Sequence, residues 1–216
     1  MDLGKKTRLN RLFSHPSGRL CSVAVDHFCG YQKGLPKGLT DLPKTIATLV
    51  AAKPDAITIQ RGAALQAWPP HAGKIPLIVQ AMIITPDDNL LENLAQPEDV
   101  LRMGGDAIAV AIGVRGPNEG RALKILADVV SAALPWGLPV IAHIYPRDFS
   151  GEPRIVHDPE NIQWAVRCGI ECGADVIKVP YTGDVASYRE IGAACPVPMV
   201  AAGGPKAEGL PEALHM

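Results

Sequence analysis

The feature that most constrains this chain is a repeat. Short runs rich in β-branched residues return along its length, each followed by a stretch of helical pattern and punctuated by Gly and Pro. Seven such runs can be read: CSVAVDHF, AITIQR, PLIVQAMI, AIAVAIGV, PVIAHIY, VIKVPYT and PMVAAGG. Helical stretches fall between them at Leu42 to Ala51, Glu98 to Met103, Glu119 to Ala133, Pro159 to Cys172 and Val185 to Ala193. Strands alternating with helices in this way build βα units and a parallel sheet.

Side chains along a strand point to opposite faces with period two, so the alternate positions decide whether the sheet is open or closed. One set is apolar: Val23 and Val25, Ile57 and Ile59, Leu77 and Val79, Ile108 and Val110, Val140 and Ile144, Ile177 and Val179. The other is small or polar: Ser22, Ala24 and Asp26, Thr58 and Gln60, Gln80, Ala107, Ala109 and Ala111, His143 and Tyr145, and Lys178. An open doubly wound sheet wants apolar residues on both faces, whereas a barrel enzyme carries polar groups on its inner face near the catalytic mouth. The expected fold is therefore an α/β (β/α)8 TIM barrel.

Such a barrel has eight strands and typically about 250 residues, against 216 here. After PMVAAGG, the segment PKAEGLPEALHM reads as a loop and the start of a seventh helix. The expectation is a barrel truncated after its seventh strand: either the natural chain is longer and this is a fragment, the favoured account, or the last unit is absent and the barrel has an open seam between strands one and seven. Residues 1–18 read as a helical arm, because Leu9, Leu12 and Phe13 share one face at i, i+3, i+4 spacing. It is expected to pack on the barrel floor or on a neighbouring subunit, and residues 19–216 form the barrel domain.

Apolar residues make up 47% and charged residues 20% of the chain, as in an ordinary globular protein. A net charge of -1 offers no general attraction to nucleic acid or to an anionic membrane, so any phosphate needs a local site. No apolar run approaches the roughly 18 to 20 residues of a membrane helix. The five cysteines show no paired CxxC spacing and read as reduced and cytoplasmic, with Cys168 and Cys172 as small buried thiols. The six histidines lack HxH or HxxxH spacing, so neither a metal nor another cofactor is expected.

Lys178, in VIKVPYTGD, stands on a strand between branched apolar neighbours and faces inward. Burial disfavours the ammonium, and the neutral amine can attack a carbonyl and form a Schiff base. A strand-end lysine that snorkels to solvent or pairs with Asp26 is the plainer alternative. Asp26 closes the first strand on the same face, where it can poise the lysine or move protons, or serve as a cap or structural ion pair. Tyr145 ends the fifth strand in HIYPRD, facing inward, and a phenol beside an iminium can exchange a hydroxyl proton. A structural tyrosine with a solvated hydroxyl is its alternative. Gly203 and Gly204 follow the seventh strand, where backbone N–H groups can approach an anion or simply make a tight turn. His27 points outward if the first strand continues, and is second rank.

Together, GKKTRLNRLF, VAVDH, YPR, GADVIKVPYTGD and CPVPMVAAGGPK resemble the archaeal-type class I fructose-bisphosphate aldolases and their deoxyribose-phosphate aldolase-like relatives, over nearly all of the chain. The resemblance implies Lys178 as the Schiff-base lysine, Tyr145 as acid/base and Asp26 as the first-strand aspartate. It implies phosphate at Gly203 and Gly204, with His27 and Arg147 as further substrate contacts. It also implies carbon–carbon bond chemistry on a small phosphorylated sugar resembling fructose 1,6-bisphosphate, in glycolysis or gluconeogenesis, by a homo-oligomer. Phe28 departs from the glycine of many relatives. Relatives with the same lysine include a transaldolase-like synthase and a phospho-ketone thiolase, and these remain alternatives. A degenerate barrel that only binds a phosphorylated metabolite is the non-enzyme alternative.

Overall fold

The computed structural model describes residues 2–27 and 34–203. It opens with helix α1 (Leu3–Leu12) and continues through β1 (Ser22–Ala24), α2 (Leu42–Ala51), β2 (Ala56–Gln60), α3 (Arg61–Ala67) and β3 (Leu77–Gln80). A hairpin, β4 (Met82–Ile84) and β5 (Leu91–Asn93), precedes α4 (Pro97–Arg102), β6 (Ala107–Val114) and α5 (Glu119–Ala133). The chain then forms β7 (Val140–Asp148), β8 (Arg154–Ile155), α6 (Pro159–Glu171), β9 (Val176–Val179), α7 (Val185–Ala194) and β10 (Met199–Ala201). Seven strands make one curled parallel sheet in the order β1-β2-β3-β6-β7-β9-β10, and the short β8 pairs antiparallel with β7. Among the described residues β1 and β10 are its two ends, each with one neighbour. This is the expected barrel without its last unit.

An aspartate sets the register at three of the strand starts. Asp55, Asp106 and Asp175 stand just before β2, β6 and β9, and their carboxylates accept the backbone N–H of Cys21 (2.7 Å), Leu77 (3.3 Å) and Val140 (2.9 Å). In return, the N–H of each aspartate donates to the carbonyl of that same partner residue. Each clasp fixes one strand against its neighbour in an otherwise slidable ladder, and a one-residue slip would turn the inner face out.

The inner and outer faces carry separate apolar clusters. Outside, Ile57, Ile59, Val79, Ile108, Val110, Val140, Ile144, Ile177 and Val179 pack beneath the helices, as the alternation predicts. Inside, at the N-terminal ends of the strands, Ala56, Ile78, Ala107, Ala109, Ile141 and Val176 close on Leu12 of α1, with Leu9, Phe13 and Leu20 around them. Of the two packings open to the arm, the structure shows the floor. Lys5 pairs with Asp175 (3.0 Å) and Arg11 with Asp106 (3.1 Å), so α1 is tied to two of the register aspartates.

Three local readings are corrected. The run PLIVQAMI divides after Gln80: Met82 enters the hairpin, its N–H held by Gln80 Oε1 (3.0 Å) and its carbonyl by Gln60 Nε2 (2.8 Å). Arg61 begins a helix, α3, instead of ending a strand, and the fifth strand runs on through Pro146 to Asp148. The expected seventh helix, Gly204 and Phe28 lie outside the described residues.

Candidate active site

Strands β2, β3, β7 and β9 bring the inward polar residues to one level. In the sheet, Thr58 and Gln60 of β2 face Ile78 and Gln80 of β3, Gln80 faces Ala109 of β6, Ala111 faces His143 of β7, and His143 faces Lys178 of β9. Ala109 and Ala111 are small, which leaves room for side chains from β3 and β7 to meet across β6. The C-terminal mouth opens as a cavity of about 460 Å³, lined among others by Asp26, His27, Gln80, His143, Tyr145, Arg147 and Lys178. Five of the seven sequence-predicted site residues thus share one cavity.

Burial pushes the Lys178 ammonium down from its ordinary range, and the carboxylate of Asp26 partly restores it. Asp26 Oδ2 accepts from Gln80 Nε2 (3.1 Å), and its other oxygen lies 3.7 Å from His27 Nδ1. The strand reading placed His27 on the opposite face, but β1 ends at Ala24, the alternation lapses, and His27 reaches the cavity. His143 is fully enclosed: burial, then the charges of Lys178 and His27, hold its imidazole well below the usual range, so it is neutral. Its Nδ1 lies 3.3 Å from Gln80 Nε2.

Arg147 is buried at the rim, 3.6 Å from Asp88 of the β4–β5 turn. Among the described residues, the Nε of Arg147 and the Oδ1 of Asp88 have no hydrogen-bond partner. Gly113 admits this pair, since a Cβ there would stand 2.4 Å from Asp88 Oδ2. Across the mouth, β8 folds back on β7, and Arg154 donates two bonds to Asp148, whose carboxyl is held at about 2, first by the Ser150 N–H. Gly203 follows β10 with φ +84°, a conformation that favours glycine, and its carbonyl accepts the Tyr181 N–H (2.6 Å). It does not line the mouth cavity.

Gln60, Gln80 and His143 were legible as inward residues but were given no role. Asp88 and Arg154 carried no sequence signal, because each depends on a hairpin absent from the strand count. Among the described residues, no group of three or more His, Cys, Asp or Glu is placed to hold a metal ion. Burial raises the Cys168 thiol to about 11, which leaves it protonated and inert at neutral pH.

A curled parallel sheet with a lysine, an aspartate and a tyrosine gathered at its C-terminal mouth defines the class, an aldolase-type α/β barrel. The chain belongs to the DeoC/LacD family of aldolases, whose family model matches residues 20–216. It is 35% identical over 205 residues to the 2-amino-3,7-dideoxy-D-threo-hept-6-ulosonate synthase of Halobacterium salinarum, covering 94% of this chain and 75% of the relative. It is 31% identical over 217 residues to the 3-hydroxy-5-phosphonooxypentane-2,4-dione thiolase of Yersinia enterocolitica, covering 98% of this chain and 69% of that one. A solved archaeal fructose-1,6-bisphosphate aldolase, its catalytic lysine bound to the carbinolamine intermediate of its substrate, superposes with a TM-score of 0.82 at 25% identity. That likeness covers 98% of this chain and 84% of the other.

Proposed function

We propose that this enzyme makes or breaks a carbon–carbon bond in a phosphorylated ketose through a Schiff base on Lys178. The observation that carries the reading is the lysine itself, an inward amine in the cavity whose charged form is disfavoured by burial. In the cleavage direction, the Lys178 amine adds to the ketone carbon, and loss of water gives an iminium. Tyr145 takes the proton of the β-hydroxyl, the carbon–carbon bond breaks, and its electron pair moves into the iminium to give an enamine. The aldehyde half departs. Protonation of the enamine carbon and hydrolysis return the amine, with Asp26 assisting the proton movements. His27 and Arg147 at the mouth, with the backbone N–H groups of Gly203 and Gly204, contact the phosphates.

Borohydride added with dihydroxyacetone phosphate is expected to trap a covalent adduct on Lys178, because an iminium is reducible and a non-covalent complex is not. Peptide mass mapping decides it. An adduct on Lys53 or Lys206 would overturn the assignment to Lys178, and none at all would return the chain to a barrel that only binds a phosphorylated metabolite.

A second reading is favoured by the sequence relatives, which are a synthase and a thiolase. In it the fragment held on Lys178 is passed to a second acceptor molecule instead of being released by protonation. Fructose 1,6-bisphosphate given alone separates the two. Free aldehyde appearing at a steady rate supports cleavage, whereas turnover only on addition of an acceptor aldehyde supports transfer.

A further inference from the structure

We propose that Gln80 is a positioning residue that fixes His143 as the neutral tautomer protonated at Nε2, and that this N–H donates to the carbonyl oxygen attacked by Lys178. The second half of this statement rests on the Schiff-base reading above, and the first half does not.

The N–H of Met82 can only donate, and it donates to Gln80 Oε1 at 3.0 Å. The orientation of the Gln80 amide follows from that bond, so its NH2 end points the other way. That end has two hydrogens and two neighbours: Asp26 Oδ2 at 3.1 Å and His143 Nδ1 at 3.3 Å. A carboxylate accepts the first hydrogen. The second then requires a lone pair on Nδ1, because an Nδ1–H would set two donors against each other. Gln80 and His143 are both buried, at 3% and 4% exposure, so water does not relieve such a clash. His143 therefore carries its proton on Nε2, and the imidazolium is excluded by the same contact.

The position of that proton matters because His143 and Lys178 are register partners on adjacent strands and both line the cavity. When the Lys178 amine attacks a ketone, the new N–C bond forms as the carbonyl π pair moves onto oxygen. A proton of the adding nitrogen then passes to that oxygen, giving the neutral carbinolamine. In between, the oxygen is negatively charged in a buried site, where a fixed N–H donor is most effective. A neutral imidazole supplies this donor without placing a second cation beside the amine. Its tautomer is set from behind, by a glutamine that the hairpin backbone holds in turn.

The test reads the tautomer directly, from the ¹⁵N shifts of the imidazole nitrogens of His143 in the full chain, assigned by their loss in His143→Asn. The expected result is the Nε2–H form from pH 6 to 8. In Gln80→Glu, where the amide donor is replaced by an acceptor, His143 should move to the Nδ1–H form or become charged, and the rate of borohydride-trapped adduct with dihydroxyacetone phosphate should fall about 10- to 100-fold. Gln80→Met, neutral and of similar length, controls for folding by its melting temperature and should leave a mixture of tautomers. An Nδ1–H tautomer or an imidazolium in the wild type overturns the assignment. Unchanged adduct formation in Gln80→Glu, with the tautomer reversed, overturns the donation to substrate. Absence of any adduct in the wild type is a failure of the Schiff-base reading and also removes the donation to its carbonyl, while the spectrum still decides the role of Gln80.

Discussion

At Lys178 two influences oppose one another: enclosure disfavours the ammonium, and the negative charge of Asp26 favours it. The sign of a substitution follows. Asp26→Asn removes the charge that raises the lysine and leaves the burial, so the Lys178 pKa should fall further. Adduct formation needs the neutral amine, and its rate plotted against pH should therefore rise at lower pH in the variant. A profile unmoved along the pH axis would mean that Asp26 does not act on the lysine. Tyr145→Phe should leave adduct formation intact and slow carbon–carbon cleavage about 100- to 10,000-fold, the range for losing a general acid/base. Single-turnover measurements separate the two steps, and normal cleavage by the variant would make the tyrosine structural. Lys178 and Tyr145 were legible as inward because strand parity puts them inside, whereas Asp26 lies two residues past the end of β1 and reaches the cavity all the same. What parity does not give is which inward residues meet. Gln80 and His143 are 63 residues apart and touch only because β6 between them carries alanines.

Helices were the most legible elements. Leu42–Ala51 and Pro159–Glu171 are announced by Asp41 and Asp158, whose side chains cap them, with Pro in the first turn. The β4–β5 hairpin was not legible, because MII continues the apolar run of β3 without a Gly or Pro to mark the break. The turn is made instead by side chains, since the Met82 backbone is taken by Gln80 and Gln60 before the neighbouring strand can use it. The arm is legible as an amphipathic face, but the face alone does not name its partner. Leu12 is fully buried beneath the barrel, so Leu12→Ala should destabilise the protein by about 2 to 5 kcal/mol, as for other core leucines. Leu3 on the same helix is 78% exposed, and Leu3→Ala should change stability by less than about 0.5 kcal/mol. Urea midpoints compare the pair. A tolerated Leu12→Ala would show that the arm is only loosely applied.

For the molecule as a whole, the plug formed by α1 at the strand N-termini has a consequence for traffic. Among the described residues, those that line the mouth cavity include none of the floor cluster around Leu12, so α1 closes the N-terminal end of the interior and leaves the mouth as the way in. The fragment tethered to Lys178 cannot leave until its bond is hydrolysed, and water for that step enters by the way the aldehyde leaves. Release should therefore be sequential, aldehyde before ketone. Product-inhibition kinetics would show it, with the ketone product competitive against the ketose phosphate and the aldehyde not; two competitive patterns would mean a second exit. The β7–β8 fold-back carrying Arg154 lines that mouth and so stands in the path of what enters and what departs.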